Sequence, residues 1–531
     1  MAIFNVKDYG AYGDGIQNDT NAFIAASAAL TAAGGGTLLI PAGVYMVGKQ
    51  DFAGKANQGY AYRATDIITI SNCTKPVIIE GSAAVLRIVP NLKFGSFDPI
   101  TGNPYYPASM PFTNVNYAAG IGRMVVLSNN SSQVLVRNLE LDGSINSAVL
   151  GGSWGDQGYQ LAAYGLYTKD CPNLRVSNVY SHHHCLDGLY IAQSPANATA
   201  TTPRTPATLI NVRCEFNARQ GFSWVGGGGV TAIGCKFNHT GRAAFGSSPQ
   251  AGVDIEASGG ALVRNGLFIN CEMINNVGLG MGADSGDSAD VSFINCTFLG
   301  TTYYCAWPSK PRMHFADCTF SGITVRAYAD PVNSKGYSTQ FSRCLFTDKL
   351  KYNSQVYAPG STSYLVDFGV SGAGVKLDAC VIDAATTRIG YSSNYGTVTA
   401  TNCQFYQQVT GSGTESAFRA ICVGDTVLNS GSLAQLDQSV VLGRASWNGT
   451  EYPQTTNMPQ RRQQLWANNG SGGSQQHIGY GSSPADFLGS NSAQLGDIVF
   501  NSDAVSGAPA GWVCVSSGSP GTWKAFATIA S

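Results

Sequence analysis

Eight cysteines between positions 214 and 403 are each followed, two residues on, by a large apolar residue: Cys214/Phe216, Cys235/Phe237, Cys271/Met273, Cys296/Phe298, Cys318/Phe320, Cys344/Phe346, Cys380/Ile382 and Cys403/Phe405. Residues two apart on a strand share a face, so each pair is expected to point inward together. Their separations are 21, 36, 25, 22, 26, 36 and 23 residues. A period in the twenties with occasional longer steps fits a three-sided coil of stacked strands with loops at its corners. A buried free cysteine acts as a small hydrophobe. The pattern therefore predicts an all-β parallel coil lined by reduced thiols and folded in a reducing compartment. No CxxC pair with zinc-site spacing occurs.

The first 48 residues differ from the repeat. Asp19 or Thr20 is placed to cap a helix over the Ala-rich stretch Ala22 to Ala33, which Gly34-Gly35-Gly36 would end. A helix there would cover the open end of the coil, whose edge strands otherwise lack partners. The run of a first strand, the DYGAYGDG turn, a helix starting at NDT, and GGGTLLIPAGVY resembles the N-terminal signature of the pectate-lyase-like "type 3" β-helix superfamily. Many phage tailspike depolymerases share that signature. The resemblance implies a right-handed, pectin-lyase-like parallel β-helix, a bacterial surface polysaccharide as partner, a homotrimer, and a place on a virion tail. It does not identify the reaction.

Only 12% of residues are charged and the formal net charge is −1, so nothing in the composition draws nucleic acid or an anionic membrane. No apolar run is long enough to span a bilayer, so membrane insertion is not expected, and the N-terminus lacks the pattern of a signal peptide. Loops at 91–120, 144–164 and 193–208 interrupt the coil, the first two rich in aromatic residues that can stack on sugar faces. The expected organisation is an N-terminal cap at 1–48, the coil at 49–428, a connector at 429–470, and a small Gly/Ser-rich β module at 471–531.

Four glycine-led segments, GLYIA (188–192), GFSWVG (221–226), GVDIEA (252–257) and GLGMGAD (278–284), read as one strand repeated. Aligned on their first glycines, Leu189/Ile191, Phe222/Trp224, Val253/Ile255 and Leu279/Met281 face inward. Tyr190/Ala192, Ser223/Val225, Asp254/Glu256 and Gly280/Gly282 face outward. A solvated acidic strand would look the same, since exposed Asp and Glu are common. As chemistry, Asp254 and Glu256 are two apart on one strand, with Cβ atoms roughly 6–7 Å from each other. That is near the lower limit for the acid and base of an inverting glycosidase, roughly 6.5–9.5 Å between carboxyl groups. Asp187, two rungs earlier, is a second possible partner, or simply a turn residue before glycine.

Elimination beside a uronate is the competing chemistry, and it needs a base and a group that neutralises the substrate carboxylate. Tyr190, His184 and Lys169 are the candidates. Lys169 and Tyr167 come from GLYTKD (165–170), the rung before. Ser223, Arg219 and Asp284 complete the expected substrate-binding set. The run His182-His183-His184 is not expected to hold a metal, because adjacent residues on a strand cannot all face one ion. No cofactor is expected. The paired-Asp and Gly-His-Gly motifs of polygalacturonases are absent, as are the Arg-x-Pro-x-x-Arg motif of calcium-dependent pectate lyases and the Asp-Pro-His-Glu motif of alginate epimerases. Catalytic residues therefore cannot be transferred from those groups. The GGSWG run at 151–155 has serine-hydrolase spacing but no strand-elbow-helix context. Three readings follow: a depolymerase hydrolysing on Asp254/Glu256, a lyase using Tyr190, His184 and Lys169, and a non-catalytic receptor-binding spike.

Overall fold

The structure is a computed structural model. It describes residues 1–530 except 111, 153, 155–159, 195–205, 301–303 and several segments between 323 and 492. For some strands between 351 and 477 it describes the backbone alone. The chain winds into a right-handed parallel β-helix, each strand pairing with its counterpart one turn later. One sheet of 28 strands, parallel except for its last pair, is bent along its length into two faces, and an eleven-stranded parallel sheet forms a third.

The bend has a residue-level cause. Asn138, Asn178, Asn211, Gly234, Asn270, Asn295, Asp317, Arg343, Ala379 and Asn402 all have positive φ, between 51° and 62°. A left-handed residue turns the strand, and Asn, Asp and Gly tolerate that conformation best. Asparagines in this row are bonded to one another, Asn178 Nδ2 to Asn138 Oδ1 at 3.2 Å and Asn295 Nδ2 to Asn270 Oδ1 at 2.8 Å. From Gly234 onward the bend residue directly precedes a cysteine. The thiols of Cys235, Cys271, Cys296, Cys318, Cys344, Cys380 and Cys403 then fall inside the corner. Each donates to the carbonyl two residues back, at 3.3–3.6 Å. The thirteen described cysteines are free, and all but Cys171 are buried.

The first pair departs from this register. Cys214 pairs with Phe237 rather than Cys235, so it occupies the aromatic row. Phe216 then takes a positive φ of 57° and turns outward, where its ring stacks between His183 and His239. The inward row continues Phe237, Met273, Phe298, Phe320, Phe346, Ile382, Phe405. A second inward row stacks Phe268, Phe293, Phe315 and Phe341 at centroid spacings of 4.7, 5.0 and 5.1 Å. Each such contact adds about 0.5–1.5 kcal/mol beyond area burial.

The helix Thr20–Ala32 buries Phe23, Ala26 and Leu30 over the first turn of the coil. Its cap is not a side chain of Asp19, whose carboxylate accepts from Tyr12 N at 2.6 Å and Gly13 N at 3.0 Å and so pins the preceding turn. Thr20 Oγ1 donates to Asn18 Oδ1 and accepts from Gly48 N, tying the helix start to the first rung. At the other end, strand pairing continues past residue 428 to Ala445–Trp447. A separate five-stranded sheet begins at Gln463–Ala467 and runs to Thr522–Thr528. Its small core is Ala493, Val499 and Cys514 with Trp512 and Trp523 against it.

Candidate active site

The eleven-stranded sheet carries Val125–Ser128, Leu166–Lys169, Asp187–Ala192, Gln220–Trp224, Ala251–Ile255, Met281–Ala283 and Ala306–Pro308 in successive turns. Leu189, Phe222 and Val253 are buried in the lumen, as are Ile191, Trp224 and Ile255. The opposite row reads Tyr167, Tyr190, Ser223, Asp254, Gly282, Trp307. One carboxyl thus sits in a line with two tyrosines before it and a tryptophan after it, at about 4.8 Å per turn.

The fourth glycine segment joins this row two residues later than expected. Met281 pairs with Val253 and Gly282 with Asp254, because Gly278-Leu279-Gly280 still belongs to the turn. The row is also less open than the alternation implied. Ser223 is 1% exposed and Asp254 9% exposed, while Tyr190 and Glu256 are half-buried.

The cover comes from an ion pair. Arg219 grips Asp187 through two bonds, Nε to Oδ1 at 2.8 Å and Nη2 to Oδ2 at 2.6 Å, and also donates to Gln160. Ser223 Oγ donates to Asp187 Oδ2 at 2.9 Å. Asp187 is fully buried, in the row of Gln220 and Ala251. These bonds make it an anchor for Arg219 and Ser223, so it is no second partner for Asp254.

Asp254 has a different environment. Gln220 Nε2 donates to its Oδ2 at 2.6 Å, and Gln220 Oε1 accepts from Ala251 N at 3.0 Å. Burial is the main cause that holds the Asp254 carboxyl well above the ordinary range; the nearby Glu256, Asp284 and Asp187 charges add to it and Arg219 opposes it. Beyond Oδ1 lies Gly282, where a Cβ would stand 3.8 Å from that oxygen and only 2.7 Å from Leu279. Glycine therefore lets the Leu279 side chain pack beside this row. Glu256 follows the strand end, its backbone N–H held by Trp224 O at 3.0 Å. Asp284 is exposed nearby.

The tyrosines form a platform. Tyr167 and Tyr190 stack at 4.8 Å and 10°, Tyr164 meets both edge-on, and the Arg123 guanidinium lies 4.8 Å over Tyr167. Burial raises the Tyr190 hydroxyl to about 12, so it stays protonated. Across the site, Trp307 meets Tyr304 edge-on at 4.9 Å and lies 4.2 Å beneath Arg326.

The elimination set is not brought together. His184 is 2% exposed, its backbone N–H bonded to Asn217 Oδ1 and its Nε2 donating to Leu141 O at 3.1 Å. Burial depresses its imidazole to about 3. It is a neutral core residue and cannot reach substrate. Lys169 is exposed at the far end of the Tyr167 strand. Gln220, Arg123 and Trp307 escaped the sequence reading. Carrying the grid one strand further, into CAWPS, would have found Trp307.

Residues 3–171 match the family model "Rhamnogalacturonase A/epimerase, pectate lyase-like". Mannuronan C5-epimerase AlgE5 of Azotobacter vinelandii is 59% identical over 44 residues, 8% of this chain and 4% of the relative. AlgE6 of the same organism is 29% identical over 194 residues, 35% of this chain and 20% of the relative. Among solved structures, the N-terminal fragment of bacteriophage Phi29 gene product 12 superposes with a TM-score of 0.48 at 13% identity, over 90% of this chain and 75% of that one. The chain is a right-handed parallel β-helix whose residues 3–171 match that pectate-lyase-like family model.

Proposed function

We propose that this protein hydrolyses glycosidic bonds within a bacterial surface polysaccharide, with Asp254 as general acid and Glu256 as general base. The observation that carries the reading is the buried Asp254 carboxyl, pushed well above the ordinary range beside a second, less buried carboxylate. Asp254 Oδ1 gives its proton to the glycosidic oxygen as the bond to the anomeric carbon breaks. Glu256 takes a proton from the water whose oxygen forms the new bond to that carbon. A carboxyl that keeps its proton beside a second carboxyl is what this reaction requires of its acid. The Tyr167/Tyr190 platform on one side and Trp307 on the other offer apolar faces to sugar rings along the coil axis.

A polysaccharide is also the substrate class that the relatives' names suggest, since they are mannuronan epimerases and an alginate lyase. The phage-tail setting and the homotrimer rest on the N-terminal signature. The test is incubation with a panel of bacterial capsular and exopolysaccharides, followed by reducing-end assay and mass spectrometry. Hydrolysis yields products carrying one added water and no unsaturated uronate. An ultraviolet-absorbing product would mean elimination instead. Binding without any new reducing end would mean a receptor-binding spike.

A further inference from the structure

We propose that Asp142, His182 and His183 form a binding site for one divalent first-row transition ion of the zinc class, away from the Asp254 row and joining two adjacent turns of the coil. Asp142 ends the strand Val134–Asp142, His182 ends Leu174–His182, and the two are register partners. In a continued strand His183 would point to the opposite face. Its φ of +56° breaks the alternation and brings its Nδ1 to 2.7 Å from His182 Nδ1. His182 and His183 can therefore face one ion at this position, while His184 points into the core. His182 Nδ1 lies 3.9 Å from Asp142 Oδ1, and the three ligand atoms are all within 4.8 Å of one another.

The surroundings are those of a prepared site. His182 Nε2 lies 3.3 Å from Glu140 Oε1; donating there makes Nδ1 the unprotonated nitrogen, which accepts from His183 Nδ1 until an ion takes its lone pair. A carboxylate behind a histidine in this way fixes the tautomer and ring orientation of a metal ligand. Asp142 is itself held, Oδ2 by Arg87 Nε at 2.8 Å and Oδ1 by the Ser144 N–H at 2.9 Å. Stacking fixes the rings, His182 on Tyr180 at 4.0 Å and His183 on Phe216 at 5.1 Å.

Tetrahedral zinc with bonds of about 2.0–2.1 Å separates its ligand atoms by about 3.3 Å. The two imidazoles must part slightly and Asp142 must close slightly, while the His183 proton moves from Nδ1 to Nε2. Two imidazoles and one carboxylate suit zinc, cobalt or nickel better than calcium or magnesium, which prefer all-oxygen sets. The partly exposed His183, with the Asp142 side chain 14% exposed, leaves a path for the ion and for a water as fourth ligand.

The experiment uses the full chain stripped with a chelator. Cobalt(II) is titrated in and its visible ligand-field bands are followed, and zinc affinity is measured by competition with a chromophoric chelator. One equivalent per chain with tetrahedral-type bands is expected. His183→Ala and Asp142→Asn should weaken zinc by about 100-fold, and Glu140→Gln by about 10–100-fold. His314→Ala, on an exposed strand position elsewhere, should change nothing. Absence of cobalt bands in the parent protein overturns the proposal without relying on any variant. Parent-like zinc affinity in folded His183→Ala and Asp142→Asn overturns it as well.

Discussion

Gln220 and Asp254 stand on consecutive turns of the coil, and the amide of one donates to Oδ2 of the other at 2.6 Å. The bond occupies Oδ2 and leaves Oδ1 as the oxygen to carry a proton in the proposed reaction. Asp254→Asn and Glu256→Gln are each expected to lower turnover by about 100-fold or more. With Asp254 intact, turnover should fall as pH rises through its elevated titration. Full activity in Asp254→Asn, read by reducing-end release, would remove the assignment.

Stability should carry the same signature. A carboxyl raised in the folded state binds its proton more tightly there than in the unfolded chain. Its favourable contribution is complete below the unfolded value of about 4 and is lost as pH climbs through the folded value. Asp254→Asn should therefore unfold at a higher temperature than the parent near neutral pH, and the gap should close as pH drops toward 4. Thermal melts of both proteins across that range provide the check.

Arg219 and Asp187 make the opposite kind of pair, buried and ionic. Removing Arg219 alone strands a buried carboxylate, which typically costs about 3–5 kcal/mol. Arg219→Ala should show that loss in denaturant unfolding, while the double variant Arg219→Gln with Asp187→Asn should recover much of it. Equal losses in single and double variants would mean the pair is not coupled.

Trp307 separates binding from chemistry. Trp307→Ala should raise KM several-fold, equivalent to about 1 kcal/mol of lost stacking, with kcat nearly unchanged. Tyr190→Phe keeps the ring and should alter both constants less than either carboxylate substitution. A kcat collapse in Tyr190→Phe would restore the tyrosine to the chemistry.

Assembly is tested by light scattering on the full chain and on a version truncated near residue 430. A trimer that weakens on truncation is expected. A monomeric full-length protein eliminates the tailspike-like assembly but leaves the hydrolytic reading standing.

The coil was legible in the cysteine spacing because a two-residue period and a fixed inward row leave little freedom. What escaped was the reason for the spacing. The Asn, Asp or Gly before most of these cysteines signals a left-handed bend, and reading it would have placed Cys214 and Phe216 correctly. The Asp254 row was legible from strand alternation on either side of a shared glycine. Its depth was not, since Arg219 reaches Asp187 from a neighbouring turn and closes over Ser223. His184 was misplaced for a related reason: three identical residues in a row say nothing about which one the turn drives inward.

The bend residues have a consequence for how such a chain can change. Steps between the seven corner cysteines from Cys235 on vary from 22 to 36 residues, yet their thiols stay in line. Each left-handed residue resets the reading frame of its own turn, so extra sequence is absorbed at the corners and never propagates. Loops beside the Asp254 row can therefore be lengthened, exchanged or deleted one at a time while the reacting groups keep their spacing. The frame holds the outward row constant and leaves its surroundings to parts that can be swapped.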